Sequence, residues 1–261
     1  MWRLLVTRAK RIVMALSLLA SSIACSSAPA APSPVLPIPL PPVGQQALML
    51  STPRVLAFGD SLTEGADGEN VYPPVDPSTS GPSRTYPFKL QALLAARYTK
   101  QTISVFNGGV GGKTAAESLP RLTNLITQFT PNVVIILCGV NDLNGGDSVD
   151  TATASMARLV SAAQSHGIYV VLSTLPRQRE GGRRAYSYSL VQPFNDALRH
   201  LAATSGAILG EVYPLITVDL IAPDGLHLTE GGNDALAHAY FDVLKARFEY
   251  AQPAVTSRSR R

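Results

Sequence analysis

Short apolar runs alternate along this chain with stretches of helical spacing, and that alternation limits its architecture more than any other feature. The runs lie at residues 55–58, 103–106, 133–137, 168–172 and 207–209, each bounded by Gly, Pro or polar residues. Runs this short and this uniformly apolar read as strands buried on both faces. Between them, apolar residues recur three and four apart: Leu90, Leu93 and Leu94; Leu122, Leu125, Ile126 and Phe129; Met156, Leu159, Val160 and Ala163; Phe194, Ala197, Leu198 and Leu201. A last set holds Leu236, Ala239, Tyr240, Val243 and Leu244. Such spacing places each set on one face of a helix. Strands and helices in strict alternation predict a five-stranded, mainly parallel sheet covered on both faces, a three-layer α/β/α sandwich. Ligands of such sheets sit outside the carboxyl ends of the strands, so the residues that follow the apolar runs are where function is expected.

The alternation starts only after residue 50. Arg3, Arg8, Lys10 and Arg11 precede an apolar run at 12–24 that is short for a membrane span, the pattern of an export signal. The run ends in Ser22 Ile23 Ala24 Cys25, which resembles a bacterial lipobox. That resemblance implies a lipid on Cys25 and attachment to a membrane, whereas ordinary cleavage near Ala24 or Ala30 would leave a free protein. Either route implies export, to the periplasm or the cell surface. Residues 25–50 are rich in Pro, Ala and Ser and read as a spacer, 51–250 as one domain, and 251–261 as a disordered basic tail.

Residues 1–24 hold four basic residues and no acidic one, so without them the 22 Lys and Arg become 18, against 18 Asp and Glu. The net positive charge therefore belongs to the signal. With no basic face or interleaved aromatic stripe, nucleic acid is not an expected partner. Of the two cysteines, Cys25 is the lipidation candidate, and Cys138 closes the run 133–137 as a small buried apolar residue.

A serine directly follows the first run, in Phe58 Gly59 Asp60 Ser61, and Asp224 Gly225 Leu226 His227 places an acid three residues before a histidine near the far end. A serine hydroxyl attacks poorly until a base takes its proton, and an imidazole, with an ordinary pKa of about 6.5, does this near neutrality. Asp224 at i−3 would share a face with His227 on one helical turn and fix the ring's tautomer. Alone, Ser61 would read as a helix cap and His227 as an ordinary loop histidine. His166, His200 and His238 fall in or at the ends of helical stretches and read as structural or surface residues.

Two further blocks follow the next runs: Asn107 Gly108 Gly109 Val110 Gly111 Gly112, and Gly139 Val140 Asn141 Asp142. In order, the four blocks resemble those of the GDSL or SGNH hydrolase family, over the region 54–248. The resemblance implies a flavodoxin-like fold, no cofactor and no metal. It also implies Ser61 as nucleophile, His227 as base, Asp224 as its orienter, and Gly112 and Asn141 as oxyanion donors beside the Ser61 amide. Gly112 would fit because a side chain there crowds the substrate. Asp60 and Asp142 read as turn residues that hold their neighbours.

Two rival motifs fail on spacing. A phosphate-binding loop ending Gly112 Lys113 Thr114 needs a glycine where Asn107 stands. The α/β-hydrolase elbow needs glycine two residues after its serine, and Thr63 is there. No His pair, Cys cluster or carboxylate array has metal-ligand spacing.

The expectation is therefore an exported serine esterase that forms an acyl-enzyme, of lipase/acylhydrolase, lysophospholipase or arylesterase type. A carbohydrate O-acetylesterase or thioesterase is the alternative on the same fold, and an idle ligand-binding protein the alternative of another class. Two rim segments should bear on the ester: the proline-rich loop 66–85, and residues 177–184, where Arg177, Arg179, Arg183 and Arg184 read either as a solvated loop or as a seat for an anionic group.

Overall fold

The computed structural model describes residues 47–68, 70 and 73–252. The export signal, Cys25, the spacer up to residue 46 and the tail from 253 lie outside the described residues.

Five strands form one parallel sheet: β2 (Arg54–Gly59), β3 (Ser104–Gly109), β4 (Val133–Leu137), β5 (Tyr169–Ser173) and β6 (Ile208–Gly210), in the order β3-β2-β4-β5-β6. All five predicted runs are strands of this sheet. Each crossover carries a helix: α2 (Tyr86–Arg97) joins β2 to β3, α3 (Leu119–Phe129) joins β3 to β4, α5 (Val149–Ser165) joins β4 to β5, and α6 (Val191–Ser205) joins β5 to β6. Right-handed crossovers put a helix on one face when the chain moves outward from β2 to β3, and on the other when it moves from β3 back across to β6. Accordingly α2 packs with α7 (Glu230–Phe248), while α5 packs with both α3 and α6. The result is the α/β/α sandwich that the alternation predicts.

The core explains the register. Every residue of β4 is completely buried, and each such side chain contributes roughly 1.5–3 kcal/mol relative to exposure. On α3 the predicted stripe Leu122, Leu125, Ile126 and Phe129 is the buried face. Helix starts are fixed by side-chain caps: Thr85 Oγ1 accepts from the Phe88 amide, Ser148 Oγ from Thr151, and Thr229 Oγ1 from Gly232.

Two differences from the sequence reading concern boundaries. Strand β3 runs three residues beyond 106, so Asn107, Gly108 and Gly109 belong to the sheet. Its glycines admit the short helix α1 (Ser61–Glu64), since a Cβ on Gly109 would lie 2.1 Å from the Glu64 amide nitrogen. Before residue 51, where the domain was expected to start, β1 (Ala47–Leu50) pairs antiparallel with β7 (Glu249–Gln252). This pair is tied to the body by the Gln101 side chain, which accepts from the Leu50 amide at 2.8 Å and donates to its carbonyl at 2.8 Å.

Candidate active site

Strand β2 ends at Gly59, and Asp60 caps α1 with its Oδ1, accepting from the Leu62 amide at 3.0 Å. Ser61 is therefore the first residue of a helix at the carboxyl edge of the sheet, beside β4, where the crossovers change direction. Its Oγ lies 2.9 Å from Nε2 of His227, and Nδ1 of His227 lies 2.6 Å from Oδ2 of Asp224. All three residues are buried. The predicted trio is one continuous hydrogen-bonded chain.

Asp224 and His227 do not lie on a helical turn, contrary to the sequence expectation. They sit in a tight turn closed by the bridge between Ile221 and Leu228 and by the Ala222 amide donating to the His227 carbonyl at 2.8 Å. The other Asp224 oxygen, Oδ1, accepts from the Leu226 and His227 amides, each at 3.0 Å. Gly225, with φ +88, makes the turn possible. The i−3 spacing is the same in both geometries, but here the carboxylate also builds the turn that presents the imidazole. Burial opposes ionisation of Asp224, and the bonds from His227 and the two amides outweigh it, holding the carboxyl below its usual range.

Gly112 and Asn141 line the same cleft as Ser61 and His227, a hollow of about 320 Å³. Asn141 stands on α4 (Val140–Asn144), directly after β4, and its Nδ2 donates to the Lys113 carbonyl at 3.0 Å, which leaves its second proton for the cleft. Gly112 has φ +74, and no protein atom lies within 4 Å of where its Cβ would be. Among the described residues, the backbone conformation is thus what calls for glycine there. Asp142 accepts from the Ala115 and Ala116 amides at 2.7 and 3.1 Å, and so anchors the loop that carries Gly112.

Several residues at the site escaped the sequence reading. Glu64 accepts from the Gly111 amide at 3.0 Å and fixes the glycine loop from the other side. Arg121 crosses beneath the site: it donates to the Gly59 carbonyl at 2.9 Å and to that of Gly108, with its guanidinium 4.1 Å from the centre of the Phe58 ring. It ties together the carboxyl ends of β2 and β3. Glu64 was visible as an acid three residues after Ser61, but its partner is 47 positions away. Nothing local marks Arg121.

Asp60 is completely buried, and its Oδ2 has no hydrogen-bond partner among the described residues. Burial is the largest cause, and Asp142 adds to it, of a carboxyl pushed up to about 7 against the pull of the Leu62 amide and Arg121. Cys138 is also fully buried, and burial first of all pushes its thiol well up, which suits an inert core residue.

Both rim segments reach the site. From the 66–85 loop, Gly68 lies against the Asp224–His227 pair. From the other segment, Arg184 approaches Asp224, with Nε 3.6 Å from Oδ2, and Arg183 donates to the Gly68 carbonyl.

Comparison with known proteins agrees with this geometry. The model of the GDSL-like lipase/acylhydrolase family matches residues 57–235. An arylesterase from Vibrio mimicus is 28% identical over 134 residues, 51% of this chain, and the match spans only 60% of that protein. A lipase/acylhydrolase from Enterococcus faecalis superposes with a TM-score of 0.63 at 23% identity, over 77% of this chain and 98% of the other. Est24, a carbohydrate acetylesterase from Sinorhizobium meliloti, gives 0.63 at 20% identity, over 74% and 98%. At these identities the two solved structures establish the shared fold.

Proposed function

The chain belongs to the GDSL-like lipase/acylhydrolase family, and from that premise we propose that it is an ester-bond hydrolase that cleaves short-chain carboxylic esters through an acyl-enzyme on Ser61. The observation that carries the reading is the unbroken line Ser61 Oγ, His227 Nε2, His227 Nδ1, Asp224 Oδ2, with links of 2.9 and 2.6 Å. Ser61 Oγ attacks the ester carbonyl and its proton passes to Nε2 of His227. The carbonyl oxygen, now negative, faces the Ser61 and Gly112 amides and the free proton of Asn141 Nδ2. Preorganised donors of this kind contribute roughly 2.7–4 kcal/mol each to lowering the barrier. The tetrahedral species collapses, the alkoxide takes the proton from His227, and the alcohol leaves. Water, deprotonated by the same nitrogen, then releases the acid and restores Ser61.

The preference for a short acyl group rests on the cleft. It is about 320 Å³, and beside Ser61 its wall is made of Gly111, Gly112, Asn141 and Asn70, with Ala66 and Leu226 as its aliphatic members. A long acyl chain would find little apolar surface there. The same wall suits an acetyl group on a sugar, the second reading, for which the fold shared with a carbohydrate acetylesterase is further support.

Turnover of p-nitrophenyl acetate by the wild type and by Ser61→Ala tests the mechanism. The variant should lose at least about a thousandfold in kcat. Equal rates would sink the role of Ser61 and return an idle binding protein to consideration.

Export and lipid attachment belong to the same proposal and rest on sequence: the basic residues before the run 12–24, and Cys25 after Ser22 Ile23 Ala24. Residues 25–46 would then space the domain from the membrane. A Cys25→Ser protein should leave the membrane fraction, and its retention there would remove the lipid anchor.

A further inference from the structure

We propose that Arg183 and Arg184 form an anion subsite on the histidine side of the cleft, selecting esters whose alcohol portion carries a carboxylate or a phosphate. The proposal rests on the assignment of Ser61 and His227 above.

Four arginines stand between 177 and 184, and the fold uses two of them internally. Arg179 donates to the carbonyls of Val218 and Ile221 at 2.9 and 2.8 Å, and Arg177 lies over the Tyr213 ring, 4.9 Å from its centre. Arg183 and Arg184 differ, because both line the cleft that holds Ser61 and His227. Arg183 donates to the Gly68 carbonyl, a bond that uses one of its five N–H groups. The Arg184 side chain makes no hydrogen bond among the described residues, and its closest charge is Asp224 at 3.6 Å.

That ion pair does not satisfy Arg184. Asp224 already spends Oδ1 on two amides and Oδ2 on His227, and it is buried, whereas the Arg184 side chain is 49% exposed. A long contact from an exposed guanidinium contributes little, and it leaves the planar fork that matches a carboxylate or phosphate facing solvent. Among the described cleft-lining residues, the sole carboxylate is Glu64, which is engaged by the Gly111 amide. Asp224, behind the wall, is likewise engaged by two amides and His227, so neither of these carboxylates makes a close ion pair with the arginines that line the cleft.

The backbone holding these arginines is fixed to the catalytic turn. The Arg184 amide donates to the Asp224 carbonyl at 2.8 Å, and the Arg179 amide to that of Gly225 at 2.9 Å. Gly182 lies so near Gly225 that a Cβ on it would fall 2.4 Å from the Gly225 Cα. A mobile surface loop would scatter its charges, but this one presents them at a set position beside the imidazole. Because histidine hands its proton to the leaving oxygen, the alcohol portion lies on that side. The acyl group and the oxyanion face Gly112 and Asn141 instead.

The test compares kcat/KM for 4-acetoxybenzoate with that for its neutral methyl ester, in the wild type and in Arg183→Gln/Arg184→Gln. Both esters transfer the same acetyl group, and leaving-group differences cancel between proteins. The anionic-to-neutral ratio should fall by about fivefold or more in the variant, the loss expected for a screened charge-assisted contact; any smaller fall overturns the proposal. Arg183→Lys/Arg184→Lys, which keeps the charge, should retain more of the ratio than the Gln pair, and equal loss in both overturns it. Should the Gln protein not fold, the wild type supplies the answer: its ratio must drop as NaCl rises from about 0.05 to about 0.5 M, and a ratio indifferent to salt overturns the subsite. Run alongside, 4-acetoxyphenyl phosphate ranks phosphate against carboxylate. Failure of the underlying mechanism looks different, since the neutral ester would then be cleaved equally by wild type and Ser61→Ala.

Discussion

Gly68 lies flush against Asp224: a Cβ on it would fall 2.0 Å from Oδ2 and 3.0 Å from Nδ1 of His227. The 66–85 loop thus closes the outer side of the carboxylate–imidazole pair with a residue that has no side chain. Gly68→Ala must displace the loop or the pair, and displacing a catalytic group by about 1 Å costs on the order of 100-fold in rate. A loss of that size in kcat/KM on a short ester is expected. Gly146→Ala is the control, with φ +100 and nothing within 4 Å of the added carbon. It carries the left-handed backbone penalty without the clash, so it should lose stability and keep its activity.

Asp224→Asn should lower kcat by about 10⁴-fold, because an amide cannot hold the imidazole in the tautomer that accepts from Ser61. The Asn oxygen can still accept from the Leu226 and His227 amides, which preserves the turn. Circular dichroism should therefore match the wild type while single-turnover acylation of the enzyme slows. A variant within about tenfold of wild type would show that Asp224 does not orient His227.

If Asn141 donates to the oxyanion as proposed, Asn141→Ala should cost about 10²–10³ in kcat with little change in KM. The Lys113 carbonyl loses its partner at the same time. A rise in KM with kcat preserved would place Asn141 in ground-state binding instead.

Asp60 makes stability depend on pH. Its carboxyl is raised from 3.8 to about 7 in the folded protein, chiefly by burial. Between those values the folded state holds a proton that the unfolded state has released, so the contribution of Asp60 to stability is full below about pH 4 and is lost as pH rises through 7. The shift corresponds to about 4 kcal/mol when complete. Asp60→Asn keeps an acceptor for the Leu62 amide and stays neutral throughout. The wild type should lose stability relative to Asp60→Asn between pH 4 and 8, as measured by urea midpoints at each pH. A difference constant with pH would refute a proton on Asp60.

The sheet and the trio were legible because their signals are local. Each buried strand is a run of apolar residues, and the blocks holding Ser61, Gly112 and Asn141 follow such runs, so these residues could be placed on one rim before any contact was known, whereas His227 was legible from the aspartate three residues before it and from the order of the four blocks. The turn at Asp224 was misread because i−3 spacing serves a helix and an aspartate-closed turn equally, and the positive φ of Gly225 decides between them. Gly68 against Asp224, Glu64 on Gly111 and Arg121 beneath β2 and β3 join residues far apart in the chain. No periodicity announces such pairs. The strand Ala47–Leu50 exists through its partner Glu249–Gln252 at the other end of the domain, which its own four residues do not reveal.

Ser61 and His227 are 166 positions apart, and their hydrogen bond joins the first strand of the large sheet to the turn before its last helix. Closing so long a loop is among the slow, entropically opposed events of folding. A partly refolded chain in which the turn before α7 had yet to dock would lack the base that activates Ser61. Recovery of ester hydrolysis after dilution from denaturant is therefore expected to lag behind recovery of helical signal, so that turnover would report the closing of this contact; simultaneous recovery would count against it.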